Sequence, residues 1–496
     1  MHLTKSRLCL SITERTIDEA VRVVSRYRDF IDMVELRADY LDEREYEHIY
    51  LFPALVGIEA ILTIRRKRDG GFFGGDERLR AALFRRSLER EKNFSYVDFE
   101  EDFRVPALEK LAKRRGTRII RSLHDFNGVP DDIVSTVKRL GRMKGELPKL
   151  AVYPTSVKEL LRIVEASRGL RDTEKILIGM GEYGIATRIL ATLFGSYLTF
   201  ASAPGKSAAP GHLSIDEIIK LYRFKEIDEK TKIVGVIGKP IMHSLSPFIH
   251  NTGIKELGLN AVYLPFLVDS LEAFFEIAEN LGIVGFSVTV PHKVTIIKYL
   301  DRVDESVARI GACNTVFKTN GEWWGTNTDA DGFISPLRDF FNVERDALKK
   351  IKATVIGAGG AARAVTYALG REGISFAVLN RTVEKARELA LQFGGVYGGL
   401  DSEGLDLMSR YNDLIVQATK VGMEPDNEGD PFPLYDFKGS EVVYDLVYKP
   451  EITRFLSRAL RAGCKIIGGK RMLLEQAKTQ FKIFMKRDFP LLDLRL

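Results

Sequence analysis

Two groups of side chains in this chain are of types that do chemistry. In the first half a lysine and a histidine, Lys149 and His124, stand with Arg37, Arg65 and Arg188 and with the carboxylates Glu35, Asp69 and Glu100. In the second half Lys293 and Asp329 stand with Ser244, Ser246, Thr289 and Asn314. A lysine amine can add to a carbonyl carbon while a nearby histidine moves protons. A free lysine amine is largely protonated at neutral pH, so a nucleophilic one needs burial beside cations, for which Arg37, Arg65 and Arg188 are available. The same arginines would hold an anionic substrate. The second group offers hydroxyls, an amide, an amine and a carboxylate, which suits a small polyhydroxylated acid. The 7 histidines form no HExxH or other close ligand pair, and Cys9, Cys313 and Cys464 form no CxxC. No metal and no disulfide framework are therefore expected, and a reducing cytoplasm is.

The elements that would position the first group alternate short apolar or β-branched runs with longer charged amphipathic stretches, the rhythm of βα units. The runs are residues 8–12, 31–36, 60–64, 96–99, 118–123, 149–153, 175–180 and 197–200. They predict an α/β fold opening with a (β/α)8 TIM barrel, whose chemistry belongs at the C-terminal strand ends. Glu35, Arg37, Arg65, Glu100, His124 and Arg188 stand where runs stop, whereas Lys149 begins its run just after Pro148. Residues 1–222 are read as the barrel, 223–231 as a linker, 232–345 as an α/β substrate-binding domain, and 346–469 as a Rossmann domain. A final helix over 470–496 is expected to pack back on the substrate domain.

The Rossmann reading rests on Val355-Ile356-Gly357-Ala358-Gly359-Gly360-Ala361-Ala362, a strand running into GxGxxA and then a helix. Gly357, Gly359, Gly360 and Ala361 would bring backbone close to a pyrophosphate at a helix N-terminus. The next strand ends in Asn380-Arg381-Thr382, where an NAD enzyme would carry an acid, so Arg381 favours the 2′-phosphate of NADP.

Across residues 1–220 the chain resembles type I 3-dehydroquinate dehydratase. The matching motifs include Glu35-Leu36-Arg37-Ala38-Asp39, Thr63-Ile64-Arg65, Asp98-Phe99-Glu100, Ser122-Leu123-His124-Asp125-Phe126, Lys149-Leu150-Ala151-Val152 and Ala209-Pro210-Gly211. The resemblance implies an imine on Lys149, proton transfer by His124 with Asp69 orienting it, hydroxyl binding by Glu35 and Arg65, and a carboxylate clamp at Arg188, with Ser207, displaced by one from the family's serine, and His212, in place of its glutamine, on a loop that contacts the carboxylate. Asp69 stands where that family carries Glu. From about residue 232 the chain resembles shikimate dehydrogenase, through His243-Ser244-Leu245-Ser246-Pro247, Val290-Pro291-His292-Lys293, Gly311-Ala312-Cys313-Asn314-Thr315 and Asn327-Thr328-Asp329. That implies substrate binding by Ser244, Ser246, Thr289, Asn314, Asp329 and Gln476, a catalytic pair of Lys293 and Asp329, and NADPH. Thr419, Met423, Tyr448, Gly469 and Met472 would line the nicotinamide side. Gln417 stands where that family more often has Asn.

The implied partners are 3-dehydroquinate and 3-dehydroshikimate or shikimate; a homo-oligomer is compatible with everything above. Among 496 residues, 74 Lys and Arg interleave with 68 Asp and Glu, giving +6 with no long one-sign block, which speaks against nucleic-acid binding. No run reaches the roughly 20 apolar residues of a membrane span. Rival readings are a metabolite-sensing regulator without turnover, and quinate as the substrate of the second half. Plainer roles are open too: Met472 as core packing, His212 as an ordinary loop histidine, and Arg66, Lys67 and Arg68 as solvent-facing charge.

Overall fold

The computed structural model describes residues 5–206, 209–341, 348–492 and 494. Ser207 lies outside the described residues. The chain divides into two compact units, residues 1–235 with 240–247 and 258–283, and residues 236–239 with 248–257 and 284–496. Among the described residues no helix is long and apolar enough to cross a membrane.

The first unit contains the barrel, with strands β1 (Arg7–Ile12), β2 (Met33–Arg37), β3 (Ala60–Thr63), β4 (Tyr96–Glu100), β5 (Arg118–Asp125), β6 (Leu147–Val152), β7 (Ile176–Gly179) and β8 (Leu198–Ser202). They pair in parallel, from β7 back through β1 and on to β8, and a bridge between Lys175 and Ser196 links the two remaining edges. Strand alternation explains the interior. Cys9, Met33, Ile61, Tyr96, Ile120, Leu147, Ile176 and Leu198 fill one apolar cluster inside. Two residues further along, the same inward face returns, now bearing Ser11, Glu35, Thr63, Asp98, Ser122 and Lys149 on six of the eight strands and Ile178 and Phe200 on β7 and β8. An apolar plug therefore closes the barrel below a polar layer. The apparent exception at Lys149 disappears here: β6 starts at Leu147 and passes through Pro148, so Lys149 lies inside the strand. Between the barrel and β9 (Lys232–Gly238), Phe224 and Ile227 of the expected linker are buried rather than loose.

In the second unit β11 (Ile283–Val288), β13 (Thr315–Thr319), β14 (Glu322–Thr326) and β12 (Arg302–Val303) lie side by side in that order. Strand β10 (Ala261–Leu267) belongs to the first unit. The second unit also holds six parallel strands, β15 (Lys352–Ile356), β16 (Ser375–Leu379), β17 (Val396–Gly398), β18 (Leu414–Gln417), β19 (Val442–Asp445) and β20 (Lys465–Ile467). Their order β17-β16-β15-β18-β19-β20 is the doubly wound Rossmann order. The last helix spans Gly469–Met485, shorter than the expected 470–496, because Lys486 turns left-handed at φ 56° and ends it. It packs so closely on the helix Asp329–Phe341 that a Cβ on Gly332 would lie 2.8 Å from Gln476 Cβ.

Candidate active sites

One cavity at the C-terminal strand ends of the barrel is lined by Glu35, Arg37, Arg65, Asp69, His124, Lys149, Arg188 and His212. Of the described residues expected in the first site, all but Glu100 line it; Glu100 is paired with Arg65 and Arg80. Glu35 is fixed by Ser11 Oγ at 2.7 Å and Thr63 Oγ1 at 2.8 Å, both donated from neighbouring inward positions. Burial, then Arg65 and Lys149, push the His124 imidazole well below the usual histidine range, so it is a neutral base at physiological pH. Its Nδ1 has no hydrogen-bond partner among the described residues. His212 is likewise pushed well down, by burial and then Arg188, and it lines the cavity.

Arg188 is the most telling residue here. Its side chain is buried, and among the described residues no carboxylate meets it, Nε and Nη1 have no partner, and Nη2 reaches only Pro210 O at 3.4 Å. Burial lowers it to about 10. A buried guanidinium without a counterion is a receptor for an anion.

Several expected contacts differ. Lys149 Nζ has no arginine as its nearest charge: it donates to Asp98 at 2.9 Å and lies 3.9 Å from Glu35. Arg65, expected on ring hydroxyls, spends Nη2 on Asp98 at 2.8 Å and Nη1 on Glu100 at 2.9 Å, while Arg37 forks onto Asp39 at 2.9 and 2.8 Å. Asp69 reaches the cavity and accepts from Arg66 Nε at 2.6 Å, and among the described residues no hydrogen bond joins it to His124. The Arg66 side chain is only 12% exposed and also grips Asp102. Solvent-facing charge describes Arg68 but not Arg66. Asp98 was the residue missed, although its signal was present: it stands two positions after the inward Tyr96.

In the second unit Lys293 Nζ donates to Asp329 Oδ2 at 2.5 Å, and Asn314 Nδ2 donates to Asp329 Oδ1 at 2.8 Å. Asp329 opens the helix Asp329–Phe341, where the helix dipole favours a carboxylate. Asn314 Nδ2 also reaches Thr328 Oγ1 at 2.9 Å and Gln476 Oε1 at 3.3 Å. Unforeseen support comes from Gln480, which accepts from Ser287 Oγ at 2.6 Å and donates to Thr315 Oγ1 at 3.0 Å. Thr289 is held where its N–H meets Ile237 O at 3.0 Å. Ser244 and Ser246 belong to the first unit, where the Ser246 N–H donates to Ser244 Oγ at 3.2 Å.

The glycine loop has the room and the donors for a dinucleotide. Gly357 sits at φ 118°, and a Cβ there would lie 2.9 Å from Thr419 Cγ2. A Cβ on Gly359 would meet nothing within 4 Å, leaving open the N-terminus of the helix Gly360–Glu372, which carries no side-chain cap. Gly360 abuts Lys293, with 3.2 Å from a built Cβ to Lys293 Cβ. The cradle therefore lies against the lysine that is paired with Asp329. Gln417 explains its own departure: Oε1 accepts from Thr419 N at 2.5 Å and Nε2 donates to Val421 O at 2.9 Å, a span that shapes the loop. Asn380 Nδ2 donates to Thr382 O at 2.9 Å, and Arg381 is exposed after β16. Met423 and Tyr448 are part-exposed on the loops after β18 and β19. A Cβ on Gly469 would lie 2.4 Å from Leu446 O, so only glycine fits where the last helix begins. Met472 is 7% exposed and packs in the Rossmann core with Val355 and Tyr444, as the plainer reading had it.

Residues 8–229 match the family model of type I 3-dehydroquinase, 236–316 that of the shikimate dehydrogenase substrate binding domain, and 341–423 that of shikimate / quinate 5-dehydrogenase. The chain is 32% identical over 498 residues to the chloroplastic bifunctional 3-dehydroquinate dehydratase/shikimate dehydrogenase of Arabidopsis thaliana, covering 97% of this chain and 82% of the relative. It is 40% identical over 276 residues to the NADP(+) shikimate dehydrogenase of Methanopyrus kandleri, covering 53% of this chain and 93% of that one. A solved shikimate dehydrogenase from Aquifex aeolicus superposes with a TM-score of 0.48 at 39% identity, over 53% of this chain and 96% of that one.

Proposed function

This chain belongs to the family of bifunctional 3-dehydroquinate dehydratase/shikimate dehydrogenases, and from that membership we propose how its two sites work. It is a lyase and an oxidoreductase of the shikimate pathway on one polypeptide. The first half dehydrates 3-dehydroquinate to 3-dehydroshikimate, and the second reduces 3-dehydroshikimate to shikimate.

In the barrel, Arg188 takes the substrate carboxylate and Lys149 forms an iminium with the ketone. The iminium withdraws electrons and acidifies the adjacent carbon, from which neutral His124 removes a proton. The same imidazole then delivers a proton to the departing hydroxyl. The observation that carries this reading is the convergence on one cavity of Lys149, His124 and an Arg188 without a counterion. Borohydride added with 3-dehydroquinate should fix a stable adduct that peptide mass spectrometry maps to Lys149; turnover without such an adduct rules the imine out.

In the second half the glycine cradle and Arg381 would hold NADPH, which supplies hydride when bound. Lys293 gives a proton to the carbonyl oxygen, and Asp329, fixed by Asn314, keeps that amine aimed. Thr289, Asn314 and Gln476 would bind the ring. Steady-state assays with NADPH and NADH test the cofactor: preference for NADH refutes the role of Arg381. Shikimate and quinate compared as substrates in the same assay decide between them. We keep the boundaries 1–222, 223–231, 232–345 with the last helix, and 346–469 as the functional domains.

A further inference from the structure

The strongest unexplained arrangement in the barrel is centred on Asp98. It is 1% exposed and takes three donors at once: Lys149 Nζ at 2.9 Å and Arg65 Nη2 at 2.8 Å on Oδ2, and Ser122 Oγ at 2.5 Å on Oδ1. Burial alone would raise its carboxyl; Arg65 and Lys149 instead hold it well below the usual carboxylate range. Asp98 is thus a permanent negative charge and a poor proton acceptor, and the other carboxylate near Lys149, Glu35, is more distant and already taken by two hydroxyls.

We infer that Asp98 is the positioning residue of the imine chemistry, holding the Lys149 nitrogen through every stage by keeping the N–H that remains on the iminium. This rests on the imine reading above. The balance of the step is what assigns the role. The lysine nitrogen bonds to the carbonyl carbon, the C=O bond breaks, and the oxygen leaves as water with two protons that began on nitrogen. Nitrogen carries one positive charge before and after, and one N–H survives. The attacking nitrogen is neutral while His124 holds one of those protons, so the anion seated there matches its charge before the addition and again in the iminium, and its fixed direction decides which way the C=N plane faces. Ser122 and Arg65 prevent Asp98 from following the nitrogen, so the ring is turned toward His124. Phe200, with its ring centre 4.5 Å from Nζ, closes another side of the nitrogen.

The test is Asp98→Asn in the full-length chain, comparing the rate of borohydride-trapped adduct at saturating 3-dehydroquinate with kcat and KM of the dehydratase. Removing the charge opposite a buried cation should slow trapping and kcat by about a hundredfold, with KM within a few-fold because Arg188 is untouched. Dehydrogenase activity of the same chain and its circular dichroism report folding. Should Asp98→Asn fail to fold, Ser122→Ala keeps the charge but frees the carboxylate, and it should lower kcat about tenfold with KM steady. Wild-type trapping rates in whichever variant folds overturn the role of Asp98. Failure of the wild type itself to give any Lys149 adduct would instead overturn the imine reading.

Discussion

At the scale of single residues, the molecule holds several groups that stability alone would remove. Arg188 is desolvated without a counterion, so Arg188→Met should raise the melting temperature while weakening 3-dehydroquinate binding, seen as a KM increase of about a hundredfold or more. A lowered melting temperature with unchanged KM would show that Arg188 is structural. Asp445 is a second such group. Burial pushes its carboxyl up from 3.8 to about 7, against hydrogen bonds from Thr453 Oγ1 and Val447 N–H. A raised folded value means that this group's contribution is complete below about pH 4 and is lost as pH rises through about 7. Asp445→Asn should therefore gain on the wild type between about pH 5 and 7 and hold a constant gap above, readable from melting temperatures across that range. A gap independent of pH would contradict the buried acid.

At the scale of elements, alternation along a strand and the opening of a helix do the positioning. Inward residues two apart along a strand build an apolar plug and then a polar layer, which is why Cys9 and Ser11 differ so much in chemistry while sharing a face. In the second half the glycine loop is pressed against the lysine it serves. Gly360→Ala would place a Cβ 3.2 Å from Lys293 Cβ and Cδ. Displacing that side chain from Asp329 should lower dehydrogenase kcat about tenfold or more, with dehydratase kcat unchanged. Equal losses in both activities would mean a general defect. Strand positions were legible because their apolar runs are local; the ends were less so. The true start of β6 was hidden by Pro148, a residue that ordinarily argues against a strand interior. The last helix was overextended because nothing in its apolar spacing announces the left-handed turn at Lys486.

At the scale of the whole molecule, two chemistries share a chain but no catalytic residue. Lys149→Met and Lys293→Met should each abolish one activity and spare the other. Mixed together, the two variants should convert 3-dehydroquinate and NADPH to shikimate after a lag, as released 3-dehydroshikimate accumulates; absence of shikimate from the mixture would show that the intermediate does not leave its parent chain. By itself the amino-acid sequence determined the barrel followed by a Rossmann fold, the residues at the barrel mouth and the glycine cradle, since each is written in short-range periodicity or in a contiguous motif. Only the tertiary structure decided which charge answers which. Lys149 has Asp98 rather than an arginine, Arg65 is spent on Asp98 and Glu100, Asp69 goes to Arg66 instead of His124, and Arg188 is left with none. Apart from Arg66 and Asp69, which are three residues apart in one loop, these pairings join residues of different βα units. Such choices depend on distances of a few ångströms across the barrel, which no local pattern records.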